Sequence, residues 1–122
     1  MQLRVLVVEA ESRERSALCA ALEGRGHVVK AVELVDDALH ELCHFVPDVV
    51  VLDLMRPMSR VLLEVLADLR YGRRPVGVVV TAADPPPAHV AADAIVVRSG
   101  DLGELLRAIS FARDSSSAQP DA

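Results

Sequence analysis

A chain of 122 residues, 52% apolar and with a net charge of -5, is long enough to bury one hydrophobic core, so it is expected to form one domain with one main site. No stretch approaches the roughly 20 apolar residues of a membrane helix, and Arg4 before a short apolar run lacks the pattern of a secretory signal, so a cytoplasmic location without membrane contact is expected. The acidic balance, with Phe45, Tyr71 and Phe111 as its aromatics, argues against direct nucleic-acid binding by this domain, which needs a basic stripe and stacking platforms.

Apolar strand and amphipathic helix alternate five times along the chain, the pattern of a parallel sheet covered on both faces. The first strand is read over 3–8. A helix follows with Ser12 as N-cap, places Leu18, Ala21 and Leu22 at helical spacing, and stops at Gly24 and Gly26. Val28 to Val32 forms a weaker strand near an edge. Asp36 or Asp37 caps a second helix that buries Leu39, Leu42, Cys43 and Val46 and ends at Pro47, because proline disfavours helix in the residue before it. Cys19 and Cys43 have no paired spacing and read as core thiols.

Val49 to Asp53 is the third strand. Ser59 opens a third helix, whose Leu62, Leu63, Leu66 and Leu69 make an apolar stripe ending at Gly72. Val76 to Thr81 reads as a central strand. Pro85, Pro86 and Pro87 hold the chain extended and leave any fourth helix only 87–92. Ala94 to Val97 is the fifth strand, and Asp101 with Glu104 forms a variant capping box for a last helix through Arg113. The domain is thus expected to span 1–113, with the serine-rich 114–122 as a flexible tail or linker.

Two of these strands run into carboxylates. Glu9 follows Val5-Leu6-Val7-Val8, and Asp53 closes Val49-Val50-Val51-Leu52. Open α/β sheets bind their ligands at the C-terminal ends of buried parallel strands, so both carboxylates can aim at one crevice. A second motif, His40-Glu41-Leu42-Cys43-His44, matches the helical HExxH zinc pattern, with Glu64 downstream as a conceivable third ligand. With Leu39, Leu42 and Cys43 facing the core, its polar residues read instead as the wet side of a short helix, so no zinc site is assigned and a metallohydrolase is the remote alternative.

The segments Val7-Val8-Glu9-Ala10-Glu11, Pro47 to Pro57, Thr81-Ala82 and Asp101 to Ile109 together resemble the receiver domains of two-component response regulators, over about 3–113. The resemblance implies a flavodoxin-like three-layer αβα sandwich with a five-stranded parallel sheet in order 2-1-3-4-5. It also implies Asp53 as phosphoacceptor, Glu9 and Glu11 as an acidic pocket, and Thr81 and Arg98 as phosphate-contacting or switch residues. Mg²⁺ would be held by Glu9, Asp53 and the backbone carbonyl of Met55. The implied partners are a histidine kinase, an output domain or a second copy of the chain. The chemistry is coherent, since phosphoryl transfer needs an in-line nucleophile and cations against the charge spreading over the equatorial oxygens.

The chain departs from that pattern at several positions. Ala10 stands where the family places the carboxylate that binds Mg²⁺ directly, and alanine has no ligand atom. Arg98 replaces the lysine, Ser99 the following proline, and Ile95 the aromatic residue that reports phosphorylation. The interval from Thr81 to Arg98 is shorter by more than one helical turn, which implies a shortened fourth helix. The expected function is therefore a non-enzymatic, receiver-like signalling domain with weak or absent Mg²⁺-dependent phosphorylation, acting through protein interaction or dimerisation. The alternative is a working phosphoacceptor that takes phosphate on Asp53 from a histidine kinase.

Overall fold

The computed structural model describes residues 2–54, 58–70, 76–82, 92–97 and 102–117. Within them the chain forms β1 (Arg4–Val8), α1 (Ser12–Gly24), β2 (Val28–Val32), α2 (Val35–His44), β3 (Val49–Asp53), α3 (Ser59–Arg70), β4 (Gly77–Ala82), β5 (Ala94–Val97) and α4 (Leu102–Ser117). All strand pairs are parallel, and the sheet order is β2-β1-β3-β4-β5, as the sequence predicts.

Strand alternation sorts the apolar residues into two cores. Val5 and Val7, Val49 and Val51, Val79 and Val96 pack against Leu18 and Leu22 of α1 and Leu105, Leu106, Ile109 and Ala112 of α4. Leu6 and Val8, Val50 and Leu52, Val78 and Val80 face the other way, against Val35 and Ala38 of α2 and Leu62, Leu63 and Leu66 of α3. Burying one such side chain contributes about 1.5–3 kcal/mol, so β1, β3 and β4, apolar on both faces, anchor the fold. The edge strand β2 is buried only at Val32.

Polar contacts close the N-terminal end of the sheet. Arg4 donates from Nε and Nη2 to the carbonyl of Phe45, at 3.0 and 2.7 Å, and its guanidinium lies 4.3 Å from the centroid of the Phe45 ring. A cation on a carbonyl just past a helix C-terminus satisfies an acceptor the helix cannot. Asp93 bridges β4 and β5 by accepting the Val78 N–H at 2.8 Å and donating its own N–H to the Val78 carbonyl at 2.9 Å. The Leu3 N–H donates to His27 Nδ1 at 3.0 Å. Burial lowers the His27 pKa, with repulsion from Arg25 in the same direction, which favours the neutral ring that this bond requires.

Several local expectations are corrected. Glu11 is the N-cap of α1, and Ser12 is its first helical residue. Leu34 is the N-cap of α2, while Asp36 and Asp37 sit in its first turn, where carboxylates meet the positive end of the helix dipole. The helix ends at His44, before Val46, which takes a left-handed φ of 54° that is unusual for a β-branched residue. The buried face of α2 is Val35 and Ala38, with Leu39 and Leu42 packed partly against the core, and this turns Cys43 into solvent. Cys19 is half-buried, and burial, then Glu23, push its thiol pKa up. Leu69 lies exposed at the end of the α3 stripe. The last helix runs on to Ser117, beyond the expected end at Arg113. The expected short helix over 87–92 falls outside the described residues apart from Ala92, which is not helical, and Gly72 and Asp101 fall outside them too.

Gly77 marks a close approach of β4 and α4. A Cβ there would sit 2.8 Å from the Ala112 carbonyl oxygen of α4, whereas one on Gly24 meets nothing within 4 Å. Gly77→Ala is expected to cost about 1–3 kcal/mol by overpacking, and Gly24→Ala to stabilise by about 0.4–1 kcal/mol by restricting the unfolded chain. Urea midpoints of the two variants check this, and equal midpoints would contradict the close packing of α4 on β4.

Candidate functional site

The chain passes from β1 to β2 on one side of it and then crosses back from β2 to β3 on the other, so the gap between the C-terminal ends of β1 and β3 is the topological switch point. Val8 pairs with Leu52, which brings the next residues, Glu9 and Asp53, to the ends of adjacent strands. Asp53 in turn pairs with Thr81 of β4. By alternation all three share the sheet face of Val7, Val51 and Val79, on the side covered by α1 and α4. Glu9, Asp53 and Thr81 are 7%, 6% and 8% exposed, so two carboxylates and a hydroxyl are gathered in a largely water-excluded edge.

The segments leaving the strands are pinned by specific bonds. The Leu54 N–H donates to the Thr81 carbonyl at 2.9 Å, carrying the β3–β4 ladder one step past Asp53. Ser59, 1% exposed at the start of α3, donates its hydroxyl to the Asp53 carbonyl at 2.8 Å. Between them Met58 adopts a left-handed φ of 66°, and its carbonyl accepts from Val61 and Leu62. A non-glycine residue held in that region stores about 1–3 kcal/mol, so Met58 is held there by its surroundings.

On the β1 side, the Glu9 N–H donates to the Val32 carbonyl at 3.0 Å, keeping Glu9 in the sheet. Its Oε2 accepts the Glu11 N–H at 3.4 Å. Arg15, one turn into α1, donates from Nη1 to the carbonyls of Glu9 and Ala10, at 2.8 and 3.2 Å. A guanidinium thus braces the turn that presents Glu9, and Ala10 lies half-buried between Glu9 and Glu11.

The structure brings Glu9, Asp53 and Thr81 to neighbouring strand ends. Glu11 contributes its main-chain N–H, while its side chain is exposed and makes no cap bond. Met55 and Arg98 lie outside the described residues. Ile95 is exposed on the face of β5 opposite the buried Val96. Among the described residues, no three His, Cys, Asp or Glu side chains are grouped to hold a metal. Glu9 and Asp53 nevertheless suit a hard cation, which takes oxygen ligands and is commonly held by one or two carboxylates. The structural roles of Arg15 and Ser59 go beyond the sequence reading. A basic residue one turn after an acidic strand end was a signal for the first, and the serine opening α3 was a signal for the second.

Fold and site together define an α/β domain with an acidic switch point. No protein-family model and no curated protein matches the chain. Solved structures do. The response regulator TrrA from Thermotoga maritima, in complex with Mg²⁺ and BeF, is 27% identical over 92% of this chain and 99% of its own, with a TM-score of 0.75. The pseudo-receiver domain of the CikA protein is 21% identical over 98% and 99%, with a TM-score of 0.70. An orphan response regulator of H. pylori is 17% identical over 91% and 96%, with a TM-score of 0.74. These neighbours bear out the resemblance read from the sequence: the chain has the receiver-domain fold of two-component response regulators.

Ser59→Ala removes the hydroxyl that anchors the Asp53 main chain. It is expected to cost about 0.5–1.5 kcal/mol in urea unfolding and to speed amide hydrogen exchange at Leu54 and in the first turn of α3. Unchanged exchange at Leu54 would show that the hydroxyl does not hold this turn.

Proposed function

We propose that this chain is a receiver-like signalling domain of a two-component phosphorelay in which Mg²⁺-dependent phosphorylation is weak or absent, and which works through contacts with protein partners. The carrying observation is Ala10, half-buried beside the buried Glu9, Asp53 and Thr81. Glu9 and Asp53 end adjacent strands, and Thr81 stands in register with Asp53, but the residue after Glu9 offers a methyl group in place of an oxygen.

Mg²⁺ would balance the charge that spreads over the phosphoryl oxygens as an Asp53 oxygen attacks. It demands near-octahedral oxygen geometry and gives up its waters reluctantly, so each missing protein oxygen weakens the site. The Glu9 carboxylate is also bonded back to the Glu11 N–H, which draws it toward its own turn. With the cation poorly held, the chain's own part reduces to presenting a buried acidic edge and the surfaces around it. Candidate partners are a histidine kinase, an output domain or a second copy of this chain, met without enzymatic turnover. No helix among the described residues is long and apolar enough to cross a membrane, in keeping with a cytoplasmic module.

One observation favours a second reading, that of a working phosphoacceptor. Asp53 and Thr81 are register partners, each more than nine-tenths buried, which suits a nucleophile and a hydroxyl gripping one phosphoryl group. Titration with Mg²⁺ and then beryllofluoride, followed by amide shifts, separates the two. The leading reading predicts little response at millimolar Mg²⁺, and as little in Asp53→Ala. Saturable shifts around Asp53, Thr81 and Arg98 that vanish in Asp53→Ala would establish the phosphoacceptor instead.

A further inference from the structure

We infer that His27 is an acid-released latch on the start of the sheet: the neutral ring holds the Leu3 main chain in place, and the protonated ring lets it go. The Leu3 N–H donates to His27 Nδ1 at 3.0 Å, so Nδ1 keeps its lone pair and the proton of the neutral ring stands on Nε2. An imidazolium carries a proton on both nitrogens and accepts nothing, so protonation and this bond exclude each other.

The latch sits where three parts of the chain meet. His27 is fixed at the turn between α1 and β2, where its N–H donates to the Leu22 carbonyl at 3.2 Å. Leu3 is tied on both sides, since its carbonyl accepts the Val28 N–H at 2.9 Å while its own N–H goes to the ring. The Leu3 side chain is buried in the same core as Leu22 of α1 and Ile109 and Ala112 of α4. Charging the ring deprives a part-buried N–H of its acceptor, and a donor stranded away from water is costly, so the N-terminal end of β1 loosens against β2 and α4.

The surroundings set when the latch opens. His27 shares an open cavity of about 260 Å³ with Leu3, Arg25, Ser110, Arg113 and Asp114, so a charged ring meets water, two arginines and one aspartate there. Burial, then the positive charges of the amino terminus and of Arg25, hold the His27 pKa below its ordinary value. The folded chain therefore binds fewer protons at this ring than the unfolded chain does. The stability it supplies is complete above about pH 6.5 and is lost as pH falls from there toward the folded value. The acidic strand ends lie at the opposite end of the parallel sheet, so the latch works independently of Glu9 and Asp53.

The test is an NMR titration of the untagged chain between about pH 5 and pH 8, following the His27 ring and the Leu3 and Val28 amides. His27 is expected to titrate below about 6.5, and the Leu3 amide to shift with the same midpoint. His27→Asn is the control, because its Oδ1 accepts from Leu3 and does not titrate. Below the His27 midpoint the Leu3 amide is expected to exchange about tenfold faster in the unaltered chain than in His27→Asn, and at a similar rate above it. His40, His44 and His89 are common to both chains, so the difference belongs to His27. The latch is overturned if His27 titrates at or above its ordinary value, if the Leu3 amide ignores that titration, or if exchange in His27→Asn follows pH as it does in the unaltered chain. Should His27→Asn not fold, the first two readouts on the unaltered chain still decide.

Discussion

Three parallel strands buried on both faces govern how this chain is built. Val5 to Val8, Val49 to Leu52 and Val78 to Val80 are each no more than 3% exposed, so nothing polar is accommodated along their length. An unpaired charge in such a position would cost several kcal/mol or more. Polar chemistry is therefore confined to the positions where these strands emerge, and because neighbouring strands run parallel and in register, their exits coincide. Glu9, Asp53 and Thr81 occupy those exits. The pocket is a consequence of the sheet before it is a feature of any one loop.

Confinement at a buried edge also explains how the surrounding chain is arranged. Each strand exit is tied by a bond to the main chain: Arg15 on the carbonyls of Glu9 and Ala10, Ser59 on the carbonyl of Asp53, and the Leu54 N–H on Thr81. These ties fix where the carboxylates and the hydroxyl stand whether or not a cation is present. The same ties make one missing oxygen matter. A pinned turn cannot readily swing Glu11 inward to replace what Ala10 lacks, and the exposed Glu11 side chain accords with that.

The strands were legible because an apolar run bounded by polar residues has one reading in a doubly covered sheet, and Glu9 and Asp53 stood out as acids ending such runs. The helix limits were less legible. Both α1 and α2 begin at N-caps, Glu11 and Leu34, that make no side-chain cap bond, so the usual Ser or Asp signal pointed one to three residues too far along. Cys43 was misplaced because its spacing from Leu39 and Leu42 fits a helical stripe, whereas the buried face centres on Val35 and Ala38. The continuation of α4 through a run of serines has no strong signal in propensity, since serine is a middling helix former. Arg15 and Ser59 carry a positional signal, a basic residue after an acidic strand end and a serine opening α3, but spacing does not say that they act on main-chain carbonyls.

The proposed function assigns to Ala10 the difference between this pocket and an efficient phosphoacceptor. Intact-mass measurement of the protein and of Ala10→Asp, each incubated with Mg²⁺ and acetyl phosphate, tests it most directly. Ala10→Asp is expected to gain one phosphoryl group, mapping to Asp53, while the unaltered chain stays essentially unmodified under the same conditions. Equal phosphorylation of the two on Asp53 would contradict it.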